Sequence, residues 1–239
     1  MSEPARQLRL PLPRRQALGR EDFIISQPNA LALAMVEDWR NWPEGKLVLS
    51  GPAGSGKTHL AHVWATQTGA LIVDAESLAS ANLPGLARRP VAVEDLDRLN
   101  GPKKDAAEAA LFHLHNLLAE AGQALMITGR GVPAHWAITL PDLASRVRAA
   151  NLAQINPPDD ALLGALLYKL FDDRGLVPPG EVVTYMVARM ERSFETARRL
   201  VAQLDEVAME SRREITVPLA ASVMQALGAQ NDDRVCETP

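Results

Sequence analysis

The chain has 239 residues, of which 47% are hydrophobic and 23% charged, with a formal net charge of −4. That length suits one or two domains with a buried core, and the acidic balance excludes a generic nucleic-acid polycation. The single cysteine, Cys236, excludes an internal disulfide and a cysteine-built zinc site; with no apolar run near the roughly 20 residues of a membrane span and no signal core, the expected setting is cytoplasmic.

Residues 1–22 read as a disordered leader, whose first twenty residues carry five arginines (Arg6, Arg9, Arg14, Arg15, Arg20) against one acid, Glu3. Inside it, QLRLPL (Gln7 to Leu12) places Leu8, Leu10 and Leu12 in strand-like alternation, while Pro11 and Pro13 remove the backbone donors that sheet pairing needs. PNALALAMVEDW, 28–39, is helical in composition, with Pro28 suited to a first turn. KLVLS (46–50), ALIVD (70–74), VAVED (91–95), ALMIT (124–128) and NLAQIN (151–156) are short apolar runs separated by helical stretches such as 104–121. That alternation predicts a parallel five-stranded sheet covered on both faces, an α/β domain over 23–157. After NPPDD the pattern is helical throughout, in segments 159–174, 180–191, 193–212 and 217–228. In the third of these, Phe194, Ala197, Leu200, Val201, Leu204, Val207 and Ala208 form one stripe. A small all-helical domain is therefore expected over 158–229, followed by a disordered tail, 230–239.

GPAGSGKT spans Gly51, Pro52, Ala53, Gly54, Ser55, Gly56, Lys57 and Thr58 and matches G-x-x-x-x-G-K-[ST] between a strand and a helix. Glycines let backbone N–H groups turn inward around phosphates, and the helix N-terminus adds partial positive charge. Lys57 should reach the β and γ phosphates of ATP or ADP, and Thr58 should hold Mg²⁺. VAVED delivers Glu94 and Asp95 at a neighbouring strand end. One acid should organise the hydration shell of Mg²⁺ and the other polarise an attacking water; Glu94 is placed on the metal side and Asp95 on the catalytic side. Asp97 is a weaker candidate. Thr128, ending the ALMIT run, can orient water between those acids and the γ-phosphate.

This order of parts resembles the AAA+ ATPases, their DnaA branch, and within it the Hda-type regulators of bacterial replication initiation. FIISQPNALA resembles the family's adenine-side segment and implicates Phe23, Ile24, Ile25 and Asn29. LASRVRAANLAQINPPDD resembles the arginine-finger segment and domain boundary, which gives Arg146 the finger role with Arg148 as its rival. The helical remainder resembles the AAA+ lid. DnaA initiators continue into a helix-turn-helix domain, and the sequence read here has only about ten polar residues after its lid. QLRLPL resembles the family's peptide for the sliding clamp, the β subunit of DNA polymerase III, which implies partner contacts from Gln7, Leu8, Leu10, Pro11 and Leu12. The resemblance thus implies a nucleotide-bound, clamp-tethered activator of ATP hydrolysis by DnaA. Its own ATPase would be weak, DNA would be met mostly through the clamp, and self-association would be possible. In one place the sequence departs from the family. An arginine usual near the start of the third lid helix is replaced by Glu195; Arg192 and Arg198 lie three residues either side, and Arg198 is the better substitute.

A DnaA-related helicase loader and a small-molecule P-loop kinase stay open as rivals; the leader argues against the first, the lid and the Arg146 segment against the second. His113 and His115, two apart on one helix, read as surface or packing residues, and His59 and His62 as packing for the helix after the phosphate loop.

Overall fold

The computed structural model describes residues 19–211 and 214–235, the side chains of 228–235 excepted. The QLRLPL segment lies outside the described residues. The α/β part runs α1 (Gln27–Glu37), β1 (Lys46–Ser50), α2 (Lys57–Thr68), β2 (Leu71–Asp74), α3 (Leu83–Leu86), β3 (Val91–Glu94), α4 (Lys104–Glu120), β4 (Leu125–Gly129), α5 (Pro141–Ala149) and β5 (Asn151–Gln154). The five strands form one sheet in the order β2-β3-β4-β1-β5, every pairing parallel. β1 is therefore an interior strand, between β4 and β5, and the loop that follows it opens at the carboxyl edge of the sheet, where ligands of open α/β sheets bind.

Strand alternation builds two cores. Val48, Val91, Val93, Leu125 and Ile127 face α4 and α5, whose Leu111, Leu114, Leu118, Leu143 and Val147 cover them. Leu47, Leu49, Ala92, Met126 and Ala153 point the other way, under Leu33 and Val36 of α1 and Leu60 and Trp64 of α2. Trp64 stacks on Trp42 at 5.2 Å between ring centroids. The inner strands β1, β3 and β4 are covered on both faces, which is why they read as apolar runs, whereas at the edge strand β5 Leu152 is exposed.

The lid comprises α6 (Asp160–Asp172), α7 (Gly180–Arg189), α8 (Phe194–Ser211) and α9 (Val217–Val235). Asp159 caps α6 by accepting from the N–H of Leu162 at 2.7 Å. The α8 stripe is buried as its spacing predicts, except that Val207 is only partly covered. Ile24, from the segment ahead of α1, packs against the same cluster, and Lys169 of α6 donates to the carbonyl and carboxylate of Asp22 at 3.0 and 2.9 Å. The chain's first described residues thus strap the α/β part to the lid. Among the described residues no helix is long and apolar enough to cross a membrane.

Candidate nucleotide site

The phosphate loop turns through left-handed glycines, Gly54 at φ 66° and Gly56 at φ 98°, before α2 begins at Lys57. Both are needed as glycine. A Cβ on Gly54 would lie 2.7 Å from the backbone nitrogen of Glu195, and one on Gly56 would lie 3.1 Å from the ring of Phe23. The Nζ of Lys57 donates to the carbonyls of Gly51 and Pro52 at 2.9 and 2.7 Å. Burial pulls its pKa down, and the nearby carboxylates of Asp95, Asp97 and Glu94 oppose that shift. The Ser55 hydroxyl is buried with no protein partner. An ammonium satisfied only by loop carbonyls and an orphaned hydroxyl in the same loop fit a polyphosphate, which would supply acceptors for both.

The acids stand at the end of β3, which β4 separates from β1. Glu94 is held protonated to higher pH than usual, chiefly by burial; a hydrogen bond with Thr58 opposes this and the charge of Asp95 adds to it. The Oε1 of Glu94 is buried and unpartnered. Thr58 and Glu94 together offer a hydroxyl, a carboxylate and an unsatisfied oxygen, a donor set that fits Mg²⁺, which takes few protein ligands beside water and phosphate. Among the described residues no three His, Cys, Asp or Glu side chains cluster as a cage for a metal. Asp95 adopts the left-handed region, φ 56°, a conformation that costs energy outside glycine and collects at functional sites. Its N–H donates to the Thr128 hydroxyl at 3.1 Å, and its Oδ2 accepts from Arg98 at 3.0 Å. Thr128 is buried, so the hydroxyl is fixed between β3 and β4. Asp97, the weaker candidate, has a buried unpartnered Oδ1 and an electrostatic pull on Lys57, and it stands with the site.

Between the loop and the lid opens a cavity of about 820 Å³. Phe23, Ile24, Asn29, Gly56 and His59 form its α/β wall; Leu166, Lys169, Phe194 and Arg198 form its lid wall. Ile25, expected on the base side, is 51% exposed and lines none of it. The reason is local. Asn29 donates to the Ile24 carbonyl and accepts from the Ser26 N–H, both at 2.9 Å, and the residue between those two anchors turns outward. Asn29 itself is buried with both ends of its amide engaged by backbone, so it shapes the wall. Arg198 borders the cavity, whereas Arg192 pairs with Asp160 at 2.9 Å. Glu195 is exposed, with its backbone against Gly54. His59, read as packing, meets Phe23 edge-on at 5.3 Å and its Nε2 lies 2.7 Å from the Gly19 carbonyl.

Arg146 is elsewhere. It sits in the last turn of α5, and the residue opening β5, Asn151, pairs with Leu47 near the start of β1. The phosphate loop leaves the other end of β1, about 13 Å of strand away. The guanidinium of Arg146 is 4.7 Å over the Phe112 ring, and its Nη1 lies 2.9 Å from Nδ1 of His115. Arg148 is exposed, its Nε donating to Ala144 at 3.0 Å. The contact of His115 with Arg146 joins residues 31 apart on two helices, and no sequence spacing signals it.

Residues 160–224 match the family model described as Hda, lid domain. An uncharacterised protein of Haemophilus influenzae is 27% identical over 184 residues, covering 73% of this chain and 79% of its own. Domain III of the Thermotoga maritima replication initiation protein DnaA superposes with a TM-score of 0.75 at 19% identity, covering 90% of this chain and 98% of that one. AMPPCP-bound DnaA from Aquifex aeolicus gives 0.65 at 18% identity, over 80% of this chain and 65% of that one. The chain thus has the fold of the DnaA AAA+ domain, a P-loop α/β part followed by a helical lid, and its lid is similar to that of the Hda-type proteins.

Proposed function

We propose that this protein binds ADP or ATP with Mg²⁺ and acts mainly on a neighbour, stimulating ATP hydrolysis by DnaA and so restraining initiation of replication. Arg146 supplies the stimulus by entering the nucleotide site of the DnaA molecule beside it. The observation that carries this reading is the position of Arg146 at the strand-start edge of the sheet, remote from its own phosphate loop. An arginine there serves only a phosphate presented by another molecule. Such a group stabilises charge on the transferring phosphoryl and accelerates hydrolysis by on the order of 10³ or more.

The chain's own residues divide the work. Lys57, the loop N–H groups and the α2 N-terminus hold phosphates; Thr58 and Glu94 would hold Mg²⁺, which when bound screens phosphate charge; Asp95 and Thr128 orient water. With Glu195 in place of the lid arginine, own-site hydrolysis is slow, and ADP is retained at least as well as ATP. The leader, through Gln7, Leu8, Leu10, Pro11 and Leu12, binds the sliding clamp and raises the local concentration of Arg146 near DnaA.

The test is a reconstitution of the full chain with DNA-loaded clamp and DnaA carrying labelled ATP, following conversion to ADP. Accelerated conversion that requires this chain and the clamp supports the reading. An unchanged lifetime of DnaA-bound ATP overturns it.

A further inference from the structure

We propose that His115 is a positioning residue for the Arg146 guanidinium, an inference that rests on the reading of Arg146 as an arginine presented to a neighbour. A long side chain on the last turn of a helix has many rotamers, and a group that must reach another molecule's phosphate gains from having few. Two residues of α4 restrict this one. Phe112 offers its ring face, with the guanidinium carbon 4.7 Å from the centroid, and His115, three residues on, lies with Nδ1 2.9 Å from Nη1. Together they fix the guanidinium plane and one of its corners. Arg146 is half-buried, so the fork is held and still partly open to solvent.

The contact has a required chemistry. Arginine only donates, so Nδ1 of His115 must accept and its ring must be neutral with the proton on Nε2. His115 is 4% exposed. Burial, with the charges of Lys46 and Arg146 adding to it, brings its pKa down to about 4, against smaller opposing influences from Asn116 and Glu44. The acceptor is therefore available throughout the neutral range, and an uncharged partner restrains the arginine without neutralising the charge it would present.

The experiment uses the full chain with His115→Phe, which keeps a buried ring without an acceptor, and His115→Asn, whose amide oxygen falls near the position of Nδ1. Each is assayed for stimulation of hydrolysis in ATP-loaded DnaA, and by ¹⁵N NMR of the Arg146 side chain. His115→Phe lowers the maximal stimulated rate about tenfold or more, while the concentration for half-stimulation and the chain's own nucleotide affinity stay as in wild type. His115→Asn recovers most of the rate. The Arg146 Nη signals are separately resolved in wild type and His115→Asn and merge in His115→Phe. Wild-type rate in His115→Phe, or equal impairment in both variants, overturns the proposal in favour of ring packing. Should His115→Phe fail to fold, His115→Leu carries the same expectations. If the wild-type chain does not stimulate DnaA, the trans-arginine reading fails, and the NMR arm alone decides whether His115 restrains Arg146.

Discussion

Lys57, buried, and Glu94, half-buried, both lie at the carboxyl edge of the sheet, and the fold treats them oppositely. The ammonium has loop carbonyls for partners, and bound phosphate adds strong ones. Lys57→Ala should leave the sheet folded, since its partners are loop atoms, and should weaken ADP and ATP binding roughly ten- to a hundredfold, the loss of a charged hydrogen bond of about 1.5–3 kcal/mol; calorimetry on the folded variant reads this directly. Glu94 has an orphaned oxygen and a raised pKa. A carboxylate whose folded pKa lies above its unfolded value destabilises the fold in full above the folded value, and the cost disappears as pH falls through that value towards the unfolded one. Glu94→Gln should therefore raise the melting temperature of the nucleotide-free protein by a few degrees at pH 7. The gap should close in acid, and the magnesium dependence of nucleotide binding should weaken. A melting temperature lowered at pH 7 would contradict the stored cost. The loop was legible in the sequence because its eight residues are contiguous and the turn chemistry is local. The direction of Ile25 depends on the bonds Asn29 makes to either side of it, and the partner of His115 lies on another helix, so neither is legible in the local sequence.

Among the elements, the phosphate loop meets the start of α8, a contact that would couple the proposed nucleotide to the lid. Gly54 allows it. Alanine there must adopt φ 66° and place its Cβ 2.7 Å from backbone, which flexible side chains cannot relieve. Gly54→Ala should lift α8 from the loop and weaken nucleotide binding about tenfold, in line with roughly 1–2 kcal/mol for a left-handed alanine. Hydrogen exchange at residues 194–198 should rise in the nucleotide-bound state, and unchanged exchange and affinity would show that the lid contact is dispensable. The strands and the lid helices were legible from short apolar runs and from the α8 stripe, since both report burial directly. The strap through Asp22 and Lys169 was not, because a single ion pair between distant segments leaves no periodic trace. The leader is an element of another kind, with a role proposed from sequence resemblance. In the proposed clamp complex, replacing Leu10 and Leu12 by alanine would remove two apolar contacts of about 1.5–3 kcal/mol each, so clamp affinity should fall at least about a hundredfold while nucleotide binding stays intact. Equal binding of this variant to immobilised clamp would remove the clamp from the account.

The whole molecule has two working edges. The carboxyl edge of the sheet, roofed by the lid, holds the proposed nucleotide site, and the opposite edge carries Arg146 on its cradle of Phe112 and His115. Because β1 runs between them, occupancy of one edge and presentation of the other belong to separate surfaces of one rigid sheet, and mutations should separate them too. The fold was legible to the level of sheet and lid, yet the distance from Arg146 to its own loop follows only from the register of β5 on β1. The most direct test is Arg146→Ala in the reconstituted assay with DNA-loaded clamp and ATP-loaded DnaA. The variant should bind its own nucleotide and the clamp as wild type does and lose on the order of 10³ in stimulated hydrolysis; stimulation equal to wild type would contradict the claim that this arginine acts on the neighbour's phosphate.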